Sequence, residues 1–210
     1  MNRLYNMKYK RIIMFNEREN TEEKILNATF KILQKDGVNK ATTKKIAAEA
    51  GVNEVTIFRK FDNKKNLIEK TKDHFLNMFI DRLRGIFYFN GDEDIEEYIK
   101  GAFMGVLNLS DSDFSILKVA MEEVREIPER KLLLIQITDV ILEKLEDFFK
   151  LQKDKGTVRD IDPKVMAVMC FSIIFQSVIL RKVYSLSPDY ELDYYSDNIF
   201  DILFNGIMPE

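Results

Sequence analysis

The chain has 210 residues, 46% of them apolar and 16 of them Phe, which is ample for a sizeable core. A formal net charge of −3 conceals a division: positions 1–80 carry 17 Lys/Arg against 10 Asp/Glu, and positions 81–210 carry 15 against 25. One cysteine (Cys170) and one histidine (His74) exclude an intrachain disulfide framework and a Cys/His metal cluster; they fit a reducing cytoplasm, and no metal or cofactor is expected.

Positions 1–19 show no periodicity and carry Arg3, Lys8, Lys10, Arg11 and Arg18. Two readings stand: a basic arm that follows the DNA backbone or the minor groove, or an irregular start with Met7 or Met14 as the initiator. No apolar core of a signal peptide occurs there. A first helix begins near Asn20 or Thr21, where Asn20 and Glu23 have capping-box spacing. Ile25, Ala28/Thr29 and Ile32/Leu33 repeat at helical spacing, and Gly37 closes the helix. Thr42 caps a second helix whose Ile46/Ala47/Ala50 face is small enough for a close crossing. Gly51 supplies a left-handed end. Asn53 caps a third helix of about two turns, with Val52, Ile57 and Phe61 inward and Glu54, Thr56, Arg59 and Lys60 outward. Helix, short Gly-containing turn, helix is the arrangement that lays a second helix in the DNA major groove.

A fourth helix is predicted from near Asn63 to about Phe87, with Leu67, Thr71, Phe75, Met78 and Leu83 towards one face. Asn90-Gly91-Asp92 ends it. Helices then follow over about 94–109, 113–126, 128–153, 163–186 and 190–207. Ser110-Asp111-Ser112 caps the second of these, Pro128 suits a first turn, and Gly156 and Asp162-Pro163 mark a stop and a restart. No strand-like alternation is sustained. The expected fold is therefore all-α: a basic extension (1–19), a three-helix DNA-binding domain (20–66) and a helical domain (67–210) for effector binding and dimerisation. The apolar run Val165–Leu180 is shorter than the ~20 residues that span a bilayer, so a buried helix and no membrane association are expected.

Ala50-Gly51-Val52, Thr56-Ile57-Phe58, Phe61 and Asn63-Lys64-Lys65-Asn66-Leu67, preceded by Ile25-Leu26, Ala28, Ile32-Leu33 and Gly37, stand at spacings that resemble the TetR/AcrR family of bacterial one-component regulators. The resemblance covers about Thr21 to His74, roughly a third of the chain. It implies an all-helical homodimer whose C-terminal domain binds a small molecule and thereby releases DNA. It also implies that Lys64 is the lysine that opens helix four and contacts the backbone. Two positions depart from the family pattern. Phe58 replaces the usual Tyr and removes a hydroxyl that would reach a phosphate, and Val55 stands where Gly is frequent and could pack on a thymine methyl.

Within the DNA-binding domain, Thr42 and Thr43 lie at a helix N-terminus suited to a phosphate, with Lys44, Lys45, Arg59, Lys60, Lys64 and Lys65 adding positive charge. Asn53, Glu54, Val55 and Arg59 are the candidates for base readout, beside Thr56 and Phe58. Glu54 either accepts from a cytosine amine or forms a bridge on the helix surface, and Arg59 meets guanine or phosphate. Candidate effector-binding residues are Phe103, Met104, Leu107, Phe114, Leu117, Met121, Phe171 and Phe175, side chains that line either an adaptable apolar pocket or ordinary core. The helix at Val165–Ser177 is apolar on nearly every side, so Met166, Met169, Ile173 and Ser177 are assigned to a dimer interface together with Ile199, Phe200 and Leu203 of the last helix. There is no nucleophile–base constellation and no phosphate-cradling Gly loop. The expected function is a ligand-responsive regulator, a repressor at a palindromic double-stranded operator. The alternative is a sensor or carrier that acts through a protein partner.

Overall fold

The structure, a computed structural model, describes residues 20–126, 132–184 and 191–206. Nine α-helices are present among them, and no strand: α1 (Thr21–Lys40), α2 (Thr43–Ala50), α3 (Glu54–Phe61), α4 (Lys64–Ile86), α5 (Ile95–Leu107), α6 (Ser115–Glu126), α7 (Leu132–Asp154), α8 (Pro163–Val178) and α9 (Leu192–Asn205). A π-helical segment, Ile179–Val183, extends α8. The all-α expectation holds. The basic extension, Met7, Met14 and Pro128 lie outside the described residues. The chain divides into two compact units, one running to His74 and the other from Phe75.

In the first unit, Asn20 and Glu23 form the expected capping box at the start of α1. Gly37, at φ 74 and ψ 171, interrupts α1, and a last turn then carries the chain to Lys40. Helix α2 starts under Thr42, whose hydroxyl accepts from Lys45 N at 3.2 Å. It ends at Gly51, which is left-handed at φ 65 and ψ 34. Asn53 then caps α3 by accepting from Val55 N at 2.9 Å. Ile25, Ile46, Ile57, Phe61 and Leu67 are all fully buried in one cluster, so four helices share a single core. Burying each such side chain is worth roughly 1.5–3 kcal/mol, far more than a helix as short as α3 gains from its own propensity.

The second unit has its own core. Leu76, Phe79, Ile80 and Leu83 of α4 are buried there, whereas Met78 is exposed. Leu76, Phe79, Ile80 and Leu83 already fill the inward stripe at helical spacing, which turns Met78 to solvent. Ser110 and Asp113 cap each other in the turn before α6: Ser110 N donates to Asp113 Oδ2 at 2.9 Å and Asp113 N to Ser110 Oγ at 3.3 Å. Asp162 caps α8, with Pro163 in its first turn. Together with the π segment, α8 forms a 20-residue stretch, Pro163–Lys182, of mean hydropathy 1.8, long and apolar enough by length and composition to cross a membrane. Here one of its sides packs within the unit, with Met166, Ala167, Cys170 and Ile174 buried.

Burial also pushes the Cys170 thiol up to about 12. Native protein at neutral pH should therefore resist iodoacetamide and react only once unfolded; rapid native labelling would contradict this packing. At Gly51 an added Cβ meets no atom within 4 Å, so the cost of Gly51→Ala is conformational alone. It should destabilise the first unit by about 1 kcal/mol in urea unfolding, and an unchanged midpoint would show that the turn tolerates another conformation.

Candidate nucleic-acid interface

Two short helices meet at Gly51, and their outer sides form one surface. Thr42 serves its own helix as a cap, which leaves the backbone N–H groups of Thr43 and Lys44 without a partner among the described residues. The Thr43 hydroxyl donates to Glu54 Oε1 at 2.5 Å and ties the start of α2 to the start of α3. Glu54 thus has an intramolecular hydrogen-bond partner. Val55 is 71% exposed and Phe58 45%, three residues apart on α3, an unusual display of apolar surface on a short helix. Asn53 and Arg59 are exposed beside them, while Thr56 is half-buried.

The cations divide into two sets. Lys60 lies 3.6 Å from Glu22, Lys45 lies 3.2 Å from Asp36, and Lys31 pairs with Glu49. Lys44, Arg59, Lys64 and Lys65 have no acidic partner among the described residues. They flank the α2 N-terminus, the outer side of α3 and the start of α4, where positive charge is available to a polyanion. The turn between α3 and α4 holds Asp62 at φ 63, and Asn66 Nδ2 donates to Phe61 O at 3.0 Å. That turn places Lys64 at the first position of α4. The Asp62 and Asn66 roles carried no signal in helical periodicity.

The second unit holds a small cavity of about 30 Å³, lined by Phe79, Leu83, Val106, Phe114, Leu117, Ile137, Thr138, Ile141, Phe171, Ile174, Phe175 and Val178. Four of the candidate effector residues line it: Phe114, Leu117, Phe171 and Phe175. Phe103, Met104, Leu107 and Met121 do not. Phe103 turns instead to Phe200, edge-on at 5.3 Å between ring centres, and Met104 borders an outer groove with Lys100. Among the candidate dimer residues, Met166, Ser177 and Phe200 are buried inside their own unit, Ile173, Ile199 and Leu203 are half-buried, and Met169 is exposed. The solvent-facing stripe of α8 runs through Val165, Val168 and Met169, and α9 exposes Ile202 and Phe204. The tilt of each helix on the core decides these sides, and a helix apolar all round does not reveal it in sequence.

An α2–turn–α3 pair packed with α1 and the start of α4 in one core defines the helix-turn-helix class of DNA-binding domain, here followed by a separate helical unit. Residues 25–71 match the family model for bacterial regulatory proteins of the tetR family. A relative is the uncharacterized HTH-type transcriptional regulator YvkB of Bacillus subtilis (strain 168), 28% identical over 162 residues, 77% of this chain and 82% of that protein. Among solved structures, the fatty acid degradation regulator FadR from Bacillus halodurans matches with a TM-score of 0.67 at 21% identity, covering 93% of this chain and 100% of that one. FadR from Bacillus subtilis, in complex with stearoyl-CoA, matches with a TM-score of 0.60 at 19% identity, covering 88% and 98%. Residues 25–71 thus match the DNA-binding part of the tetR family, and most of the chain is similar to an HTH-type transcriptional regulator.

Glu54→Gln keeps an acceptor for Thr43 and removes one negative charge. It should strengthen DNA binding a few-fold without changing the preferred sequence; a changed preference at one base would assign Glu54 to base readout. Lys64→Ala should weaken binding on all sequences alike and lower the salt slope by about 1. A changed consensus with an unchanged slope would remove Lys64 from the phosphate contacts.

Proposed function

We propose that this regulator is a repressor that binds a palindromic operator as a homodimer and is released by a small, largely apolar effector. The observation that carries the DNA-binding part is the exposed Val55–Phe58–Arg59 side of α3 with Lys44, Lys64 and Lys65 around it. Phosphate contacts from the lysines and from the α2 N-terminus position the domain. Val55 and Phe58 offer apolar contact to thymine methyl groups in the major groove, and Arg59 offers a bidentate donor to guanine. Residues 20–66 carry this function and the remaining helices carry regulation.

The exposed stripe Val165, Val168, Met169 on α8, with Ile202 and Phe204 on α9, supports an isologous contact with a second copy. Two recognition helices would then meet half-sites ~34–36 Å apart. The apolar cavity supports the effector part, as does the stearoyl-CoA bound by the Bacillus subtilis relative of this fold. An effector acts only through its differential affinity for the DNA-competent and DNA-released states. Helix α4 carries both Lys64 and the cavity residues Phe79 and Leu83, so a change at the cavity acts on the element that begins with a phosphate-contacting lysine.

Selection of duplexes from a random pool by the full chain, followed by footprinting and a salt titration, tests this reading. A palindrome with thymines in each half-site is expected. Replacing those thymines by uracil should weaken binding roughly tenfold, and Val55→Ala with Phe58→Ala should abolish that difference. Failure of a folded dimer to enrich any sequence would move the function to a sensor acting through a protein partner.

A further inference from the structure

Phe114 belongs both to the cavity wall and to the turn of residues 110–114 that precedes α6. Two cations from two different elements hold that turn. Arg82 of α4 pairs through Nη1 with Asp113, the residue before Phe114. Lys182 of the π segment places Nζ 3.9 Å from Asp111 Oδ1 and 5.7 Å from the centre of the Phe114 ring. Arg82 also directly precedes the wall residue Leu83. Both cations thus lie beside wall-bearing segments of a cavity whose one polar lining side chain among the described residues is Thr138. Arg181, one residue before Lys182, lies over the Tyr195 ring at 5.4 Å and buries Nη2 without a hydrogen-bond partner among the described residues. These two basic residues sit on the π-helical segment that continues α8 beyond Val178.

The cavity of about 30 Å³ has room for a single water-sized occupant. A larger guest enters only if a wall residue leaves, and Phe114 is the wall residue carried by a turn. What keeps it in place electrostatically is a pair of carboxylates on a pair of cations. The side chains of Arg82 and Lys182 are 42% and 25% exposed, so an incoming anion can reach both and compete for them.

We propose that the effector is an amphipathic anion, an apolar chain ending in a carboxylate or phosphate. Its head takes Arg82 and Lys182 from Asp113 and Asp111, and its chain occupies the cavity as Phe114 withdraws. The proposal rests on the effector reading above and names the chemical class that reading leaves open.

Calorimetry on the full chain with laurate, lauryl phosphate, lauryl alcohol and laurylamine, all below their micellar concentrations, tests it. At least one of the two anions should bind more than tenfold tighter than the alcohol, and the stronger of them identifies the head group; the amine should bind weakest. Asp111→Asn combined with Asp113→Asn should raise anion affinity roughly threefold to tenfold and leave the alcohol unchanged, because it removes the competitor and not the wall. Arg82→Met combined with Lys182→Met should erase the difference between anion and alcohol. If the alcohol binds as tightly as either anion, or the amine binds best, the anionic head is refuted while the apolar effector stands. If no lauryl compound binds, both readings fail.

Discussion

Thr43 donates its hydroxyl to Glu54 across the corner at Gly51, and behind that contact Ile46, Ile57 and Phe61 are closed off from solvent. Helix α3 has only eight residues and would not persist alone. Its orientation is therefore set by the core beneath it and by that one polar tie above. The exposed Val55, Phe58 and Arg59 inherit their direction from this arrangement. A recognition surface built on a side chain network that is itself anchored loses little entropy on binding, which favours affinity without further contacts. The hydrogen bond from Thr43 fixes the Glu54 carboxylate at the corner without removing its charge.

The second unit has a core of its own. The described cavity is nearly filled, and its wall comes from helices α4 to α8, so its closed form is an ordinary packed core. One wall residue, Phe114, is supplied by a turn rather than by the interior of a helix. It packs edge-on against Phe79 at 6.3 Å, while its neighbours in the turn, Asp113 and Asp111, pair with Arg82 and Lys182.

Much of the first unit was legible in the sequence because its signals are local. Asn20, Thr42 and Asn53 are caps within three residues of the donors they serve, and Gly51 is a left-handed end that few other residues adopt. Less of the second unit was legible because its decisive facts are long-range. Phe103 and Phe114 look alike in sequence, and only the packing sends one to Phe200 and the other to the cavity. Met166 and Met169 are three residues apart on a helix that is apolar all round, and nothing in that pattern states that the first is buried and the second exposed. The ion pairs of Arg82 and Lys182 join positions 31 and 71 residues away from their carboxylates, beyond the reach of any spacing rule.

Charge shows why a chain of net −3 can carry a DNA-binding domain. The counts over positions 1–80 overstate what DNA meets, since Lys31, Lys45 and Lys60 are occupied by Glu49, Asp36 and Glu22. Those pairs are largely exposed and worth little to stability, yet they withdraw three cations from the approaching phosphates. Lys44, Arg59, Lys64 and Lys65 are among the cations left without an acidic partner in the described residues, and they group about α2, α3 and the start of α4. At physiological salt the Debye length is about 8 Å, so a phosphate responds mainly to the charges next to it and little to the net charge of the chain. In the proposed complex, affinity comes from the cations that meet the backbone, and sequence preference from the Val55, Phe58 and Arg59 side of α3. Separating the two functions among different residues is what allows a regulator to change its operator without losing its grip on DNA.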